Sequence, residues 1–178
     1  MAAPDNIVLT GFMATGKTEV GRVLARRLGF AFFDVDAEIE RCAGMSVPEI
    51  FSAFGEAGFR ARESEVISTC PLLQHTVIAS GGGAVIRPEN LAALRDCGLL
   101  ICLTASVETI LDRAGNGETR PLLQGADPKR RVRELLEARE PYYNQADFIV
   151  RTDGKNPQEI VAEIVEQIGF RKNAGTKG

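Results

Sequence analysis

Short apolar runs rich in β-branched and aromatic residues alternate along the chain with longer stretches whose apolar positions recur at helical spacing. The runs at 6–10, 31–34, 76–80, 99–103 and 148–151 read as strands. Several lack the polar alternation of a half-exposed strand, as expected of parallel strands buried on both faces. Helical periodicity fills 17–28, 47–70, 88–97, 107–113, 128–144 and 157–168, with a break predicted near Gly55–Gly58 inside the second of these. Pro88, Pro128 and Pro157 each suit the first turn of a helix, where a missing N–H costs nothing. This regular alternation predicts an α/β protein.

A length of 178 residues, 44% of them hydrophobic, fits one globular domain over 1–170 with a sizeable core. The tail 171–178, rich in Lys, Gly and Asn, is expected to be disordered. One internal segment departs from the periodic pattern: AGNGETRPLLQGAD at 114–127 carries three glycines and a proline between two helices. A loop of this length in a compact domain is expected to be a mobile lid, the alternative being a tolerated insertion.

Charge narrows the partners. A net charge of −3 and a pI near 5.3 argue against a general nucleic-acid or membrane-surface binder. Yet 113–139 holds seven Lys or Arg against four acids, a local positive bias that suits a small anionic ligand. No apolar run approaches the ~20 residues of a membrane helix and the N-terminus lacks a secretory pattern, so a cytoplasmic protein is expected. Cys42, Cys70, Cys97 and Cys102 are scattered, with only His75 to complete a metal set, and read as reduced packing residues.

The chemistry starts at GFMATGKT, residues 11–18, directly after the first strand. In G-x-x-x-x-G-K-[ST], Gly11 and Gly16 allow the backbone to turn its N–H groups inward on a phosphate. Lys17 adds a point charge, Thr18 offers a hydroxyl to Mg²⁺, and the following helix aims its N-terminal dipole at the same anion. Nucleoside triphosphate binding follows; the acceptor does not. FFDVD, residues 32–36, ends the second strand and is read as extended, with Asp34 and Asp36 on one side near the metal and the acceptor hydroxyl. The competing reading makes Asp36 the cap of a helix over AEIERC. In FRARE, residues 59–63, Glu63 can orient Arg60 as a fork for a carboxylate, the alternative being a surface ion pair of little worth. Gly81, Gly82 and Gly83 follow the third strand and would let a ligand approach bare backbone.

Taken together these residues resemble the shikimate kinase family of P-loop small-molecule kinases. The resemblance covers roughly 6–168 and is carried, in order, by GFMATGKT, FFDVD, FRARE, SGGG, TRPLL and AREPYY. It implies a three-layer P-loop kinase fold with a five-stranded parallel sheet in the order 2-3-1-4-5, and ATP-dependent phosphorylation of the 3-hydroxyl of shikimate. ATP and shikimate are the implied ligands, Mg²⁺ the implied cofactor, and a monomer the expected state. By the same resemblance, Arg60 and Arg139 would clamp the substrate carboxylate, with Glu63 positioning Arg60. Asp36 and Gly82 would hold ring hydroxyls, flanked by Gly81 and Gly83, and Asp36 would be the base. Lys17 and Arg120 would neutralise the transferring phosphoryl group, and Asp34 would act with Thr18 on Mg²⁺. The whole loop Gly11, Phe12, Met13, Ala14, Thr15, Gly16, Lys17 and Thr18 would hold ATP, with Arg113 and Lys155 toward the adenine. The chain carries Ala14 where the family often has glycine, Thr18 for the commoner serine, and Lys155 where arginine is common. The implied acceptor-binding region spans about 36–68.

Two other readings compete. A gluconate kinase would use a similar clamp, but usually with DGD-like residues after the second strand, where this chain has DVD. A non-catalytic ligand-sensing module would be expected to lose Lys17, Asp36 or the clamp arginines, all of which are present.

Overall fold

The computed structural model describes residues 6–115 and 127–174. Five parallel strands, β1 Asn6–Thr10, β2 Ala31–Asp34, β3 Thr76–Ala79, β4 Leu99–Thr104 and β5 Phe148–Arg151, form one sheet in the order β2-β3-β1-β4-β5. Helices α1 Lys17–Leu28, α2 Val35–Ala43, α3 Val47–Thr69, α4 Pro88–Cys97, α5 Val107–Ala114, α6 Pro128–Tyr143 and α7 Pro157–Ala174 connect and cover it. The predicted α/β class and strand order are both observed.

Period-2 alternation divides the strands between two cores. Ile7 and Leu9 of β1, with Ile101 and Leu103 of β4, pack with Leu24 of α1 and Val161 and Ile164 of α7. Val8, Leu100 and Cys102 point the other way and meet Ile39, Ile67, Leu94 and Val132 from α2, α3, α4 and α6. Both faces of the sheet are therefore dry, which explains why β1 and β4 read as continuous apolar runs. Burying a side chain of this size contributes roughly 1.5–3 kcal/mol, so the sheet is a stiff platform for the loops at its carboxyl edge, where open α/β sheets carry their ligands.

Three local features depart from the sequence reading. The strand in FFDVD stops at Asp34, whose carboxylate accepts from the N–H groups of Asp36 (3.1 Å) and Ala37 (3.4 Å) and so caps α2. The cap is thus Asp34, and Asp36 stands in the first helical turn instead of on an extended strand. A short carboxylate satisfying orphan N–H groups outcompetes continuation of the strand. Helix α7 runs to Ala174, past Arg171 where a disordered tail was expected. Gly169 costs a helix only about 1 kcal/mol and does not end it. Finally, Cys70, Cys97 and Cys102 are buried as expected, but Cys42 is exposed.

The predicted break in the long helix is present. Gly55 has φ 66° and ψ −175°, a conformation that bends the chain between 47–54 and 56–69. The bend sets the second half of α3, with Phe59, Arg60 and Glu63, against the loop that follows β3. Of the expected lid, Ala114 closes α5 and Asp127 caps α6; residues 116–126, Arg120 among them, lie outside the described residues.

Candidate active site

At the carboxyl edge of β1 the chain enters GFMATGKT and emerges as α1, with Gly16 at the cap position and φ 93°. Gly11 has φ 130°, and its α-carbon packs on the Leu103 carbonyl with no space for a side chain. Thr15 ties the loop internally by donating to the Phe12 carbonyl at 2.8 Å. The Lys17 ammonium lies across the loop, donating to the carbonyls of Gly11 (2.8 Å) and Phe12 (2.7 Å). Ala14 is left-handed, with φ 60°.

This loop forms one wall of a cavity of about 480 Å³ that also takes in Thr18, Asp34, Asp36 and Arg113. Thr18 donates its hydroxyl to the second oxygen of the Asp34 carboxylate at 2.8 Å, so Asp34 caps α2 and binds the start of α1 at once. Arg113 donates to the Thr152 hydroxyl and carbonyl, both at 2.9 Å, and to the Ala14 carbonyl at 3.4 Å. It thereby links α5, the turn after β5 and the phosphate loop. Lys155 does not reach the cavity; it is ion-paired with Glu163 of α7 at 2.5 Å.

A second cavity, also about 480 Å³, adjoins the first. Its apolar wall is Val47, Pro48, Phe51 and Phe59, with the two rings 4.8 Å apart. Facing it are Arg60, Glu63, Arg139 and the Gly81–Gly83 backbone. Met13, Asp36 and Gly82 line both cavities. Asp36 therefore stands at the junction between a phosphate loop and a pocket with two arginines.

The electrostatics of the second cavity rest on a buried ion pair. Glu63 is fully buried, and one of its oxygens accepts from Arg60 Nη1 at 2.7 Å. The Arg60 side chain is 12% exposed, and its Nη2 reaches Glu56 at the rim at 3.3 Å. The ion pair of FRARE is thus buried at its Glu63 end and is not the surface pair of the alternative reading. The other Glu63 oxygen, Oε1, is buried without a hydrogen-bond partner. Burial raises the Glu63 carboxyl above its usual range, and the charge of Asp36 adds to the shift against the opposing effect of Arg60. Asp36 is solvent-accessible, yet the crowding of the cleft likewise raises its carboxyl, with Asp34 adding to the effect and Lys17 and Arg60 opposing it.

The glycines leave space that side chains would occupy. A β-carbon on Gly81 would collide with Glu63 Oε1, and one on Gly83 would stand 2.5 Å from Arg60 Nη2. One on Gly82 would sit 3.1 Å from the Met13 nitrogen. The triple glycine lets the loop after β3 pass between the phosphate loop and the Arg60–Glu63 pair.

Arg139 is buried, its guanidinium 5.3 Å over the Phe12 ring, and it donates to the Gly82 carbonyl at 3.3 Å. Three participants were not assigned from sequence. Tyr143 donates to the same Gly82 carbonyl at 2.6 Å, Glu56 touches Arg60, and Thr152 holds Arg113. Tyr143 follows Arg139 by four residues in AREPYY, on the same helical face, which was its one legible signal.

The arrangement offers a triphosphate cradle, an oxygen donor pair for a hard cation, a carboxylate at the junction and a two-arginine anion clamp. Comparison with known proteins agrees. The family model described as shikimate kinase matches residues 13–169. The chain is 50% identical to the shikimate kinase of Symbiobacterium thermophilum over 173 residues, covering 96% of this chain and 99% of that one. It is 46% identical to that of Thermodesulfovibrio yellowstonii over 171 residues, again covering 96% and 99%. A solved shikimate kinase from Acinetobacter baumannii, in complex with shikimate, superposes with a TM-score of 0.91 at 38% identity, covering 94% of each chain. The chain belongs to the shikimate kinase family.

Proposed function

We propose that this chain transfers the γ-phosphoryl group of ATP to the 3-hydroxyl of shikimate, giving shikimate 3-phosphate and ADP. The observation that carries this reading is the position of Asp36, shared by the cavity of the phosphate loop and the cavity of the clamp. Shikimate is a small ring with hydroxyls and one carboxylate. Arg60 and Arg139 would take the carboxylate, Phe51 and Phe59 would cover the ring, and Asp36 with the Gly82 backbone would hold hydroxyls.

In the transfer, a bond forms between the 3-oxygen and the γ-phosphorus as the bridge to the β-phosphate breaks, and the hydroxyl proton passes to Asp36. A carboxylate raised above its ordinary range is a better proton acceptor. Phosphoryl transfer depends mainly on positioning and charge neutralisation. Lys17 would neutralise the transferring group, and Arg120 would join it from the lid. The hydroxyl of Thr18 and the carboxylate of Asp34 form an all-oxygen pair that suits Mg²⁺, which typically takes one or two protein ligands and the substrate phosphates. When bound, Mg²⁺ would offset the phosphate charge. Arg113 would contact the adenine side of ATP.

A single domain acting as a monomer in the cytoplasm fits this reading, with closure of 114–127 over ATP excluding water. Among the described residues no helix is long and apolar enough to cross a membrane. The test is a coupled ADP-release assay with shikimate, gluconate and nucleoside monophosphates side by side. Turnover with shikimate, abolished by Asp36→Asn, is expected; turnover with gluconate alone, or an Asp36→Asn variant of near-full activity, would overturn the proposal.

A further inference from the structure

Tyr143 takes no direct part in the proposed transfer, although its hydroxyl makes one of the shortest hydrogen bonds in the cleft. Tyr143 is buried in the last turn of α6 and donates to the Gly82 carbonyl at 2.6 Å. Arg139, one turn earlier, shares that acceptor at 3.3 Å. The Gly82 carbonyl belongs to the peptide linking Gly82 to Gly83, so its two donors fix the plane that also directs the Gly83 N–H. On its other side Gly82 abuts the phosphate loop: a β-carbon there would stand 3.1 Å from the Met13 nitrogen and 3.4 Å from the Gly11 carbonyl oxygen.

The same contacts bind the clamp to the donor side. The guanidinium of Arg139 lies 5.3 Å over Phe12, and the Phe12 carbonyl accepts from Lys17 at 2.7 Å. Gly82 is therefore held between α6 and the phosphate loop, and the buried hydroxyl of Tyr143 is its firmest tether. Burial pushes that hydroxyl up to about 12, partly offset by Arg139, so it remains a proton donor throughout the neutral range.

We propose that Tyr143 is a positioning residue for the acceptor: by fixing the Gly82 carbonyl beside Arg139, it sets the register of the bound acid against Asp36 and the phosphate loop. This rests on the reading that shikimate is the acceptor. A tyrosine suits the role because its aromatic body fills the core beneath α6 while its single polar atom reaches the glycine backbone.

Tyr143→Phe keeps the ring and removes the one polar atom. Because it leaves the Gly82 carbonyl with only its longer donor, the KM for shikimate should rise about tenfold. The KM for ATP should stay within about twofold, and kcat should fall by less than the KM rises. A loss of stability alone is separated out by Val132→Ala, which thins the core under the same helix without touching the cleft. It should lower the melting temperature and leave the KM for shikimate unchanged. An unchanged KM in Tyr143→Phe, or an equal rise in Val132→Ala, would overturn the proposal. A wild-type chain inactive on shikimate in the same assay would overturn the proposed function and this inference with it.

Discussion

Replacing Gly83 by alanine would test the clamp without removing any charge. Gly83 has φ −109° and ψ 1°, a conformation open to alanine, so the backbone is not strained by the change. The new β-carbon, however, would stand 2.5, 2.8 and 2.9 Å from Nη2, Cζ and Nη1 of Arg60. Carbon contacts settle at about 3.5–4.0 Å, so the guanidinium must retreat by roughly 1 Å. It is a flexible end and can do so, but under the proposed function its fork would then no longer meet the substrate carboxylate. A hydrogen bond to a charged group contributes about 1.5–3 kcal/mol, and each 1.4 kcal/mol is tenfold in affinity. The KM for shikimate should therefore rise ~10- to 150-fold, while the KM for ATP stays within about twofold because the phosphate loop is untouched. Steady-state kinetics with each substrate varied in turn would measure both. A KM for shikimate within twofold of wild type would refute the claim that Arg60, in its observed position, grips the carboxylate.

Other consequences follow from the same geometry. If Asp36 accepts the proton, kcat/KM should fall on acidification through a pKa above the ordinary 3.8 of the residue, because the crowding of the cleft and Asp34 raise it. Asp34→Asn removes the like charge and should move that acid limb to lower pH, whatever it does to the maximal rate; a limb that moves upward would contradict the assignment. Arg113→Ala should raise the KM for ATP by about tenfold with little effect on shikimate, and equal rises for both substrates would argue against a donor-side role. Ala14 is held left-handed at φ 60°, which costs an L-residue roughly 1–2 kcal/mol. Ala14→Gly should raise the melting temperature by a few degrees, with activity retained, as followed by thermal denaturation.

The sheet and the glycine-rich loop after β1 were legible because their signals are local. Continuous apolar runs marked β1 and β4 as doubly buried, and GFMATGKT compresses glycines, lysine and hydroxyl into eight adjacent residues. The Gly55 break was equally plain, since glycine alone takes that conformation without cost. What stayed hidden depended on contacts between distant segments. The start of helix α2 was misplaced because Asp34 is both the last residue of the strand and the helix cap, the role the competing reading gave to Asp36. Tyr143 acts on Gly82, 61 residues away, and no spacing rule links a helix end to a glycine loop. Lys155 matched a motif position by order along the chain, yet its side chain turns to Glu163, because a nearby carboxylate in the following helix competes for the same ammonium. Motif order thus finds the residues, and packing decides which of them share a cavity.

The central claim is that one carboxylate, Asp36, joins a phosphate loop to a carboxylate clamp and so directs the phosphoryl group to a single ring hydroxyl. Phosphorus–proton correlation NMR of the product formed from ATP, Mg²⁺ and shikimate reads this directly. One organic phosphate is expected, coupled to the proton at carbon 3 and absent from reactions with Asp36→Asn. Phosphate at another hydroxyl, or ATP cleaved to free inorganic phosphate with shikimate unchanged, would contradict it.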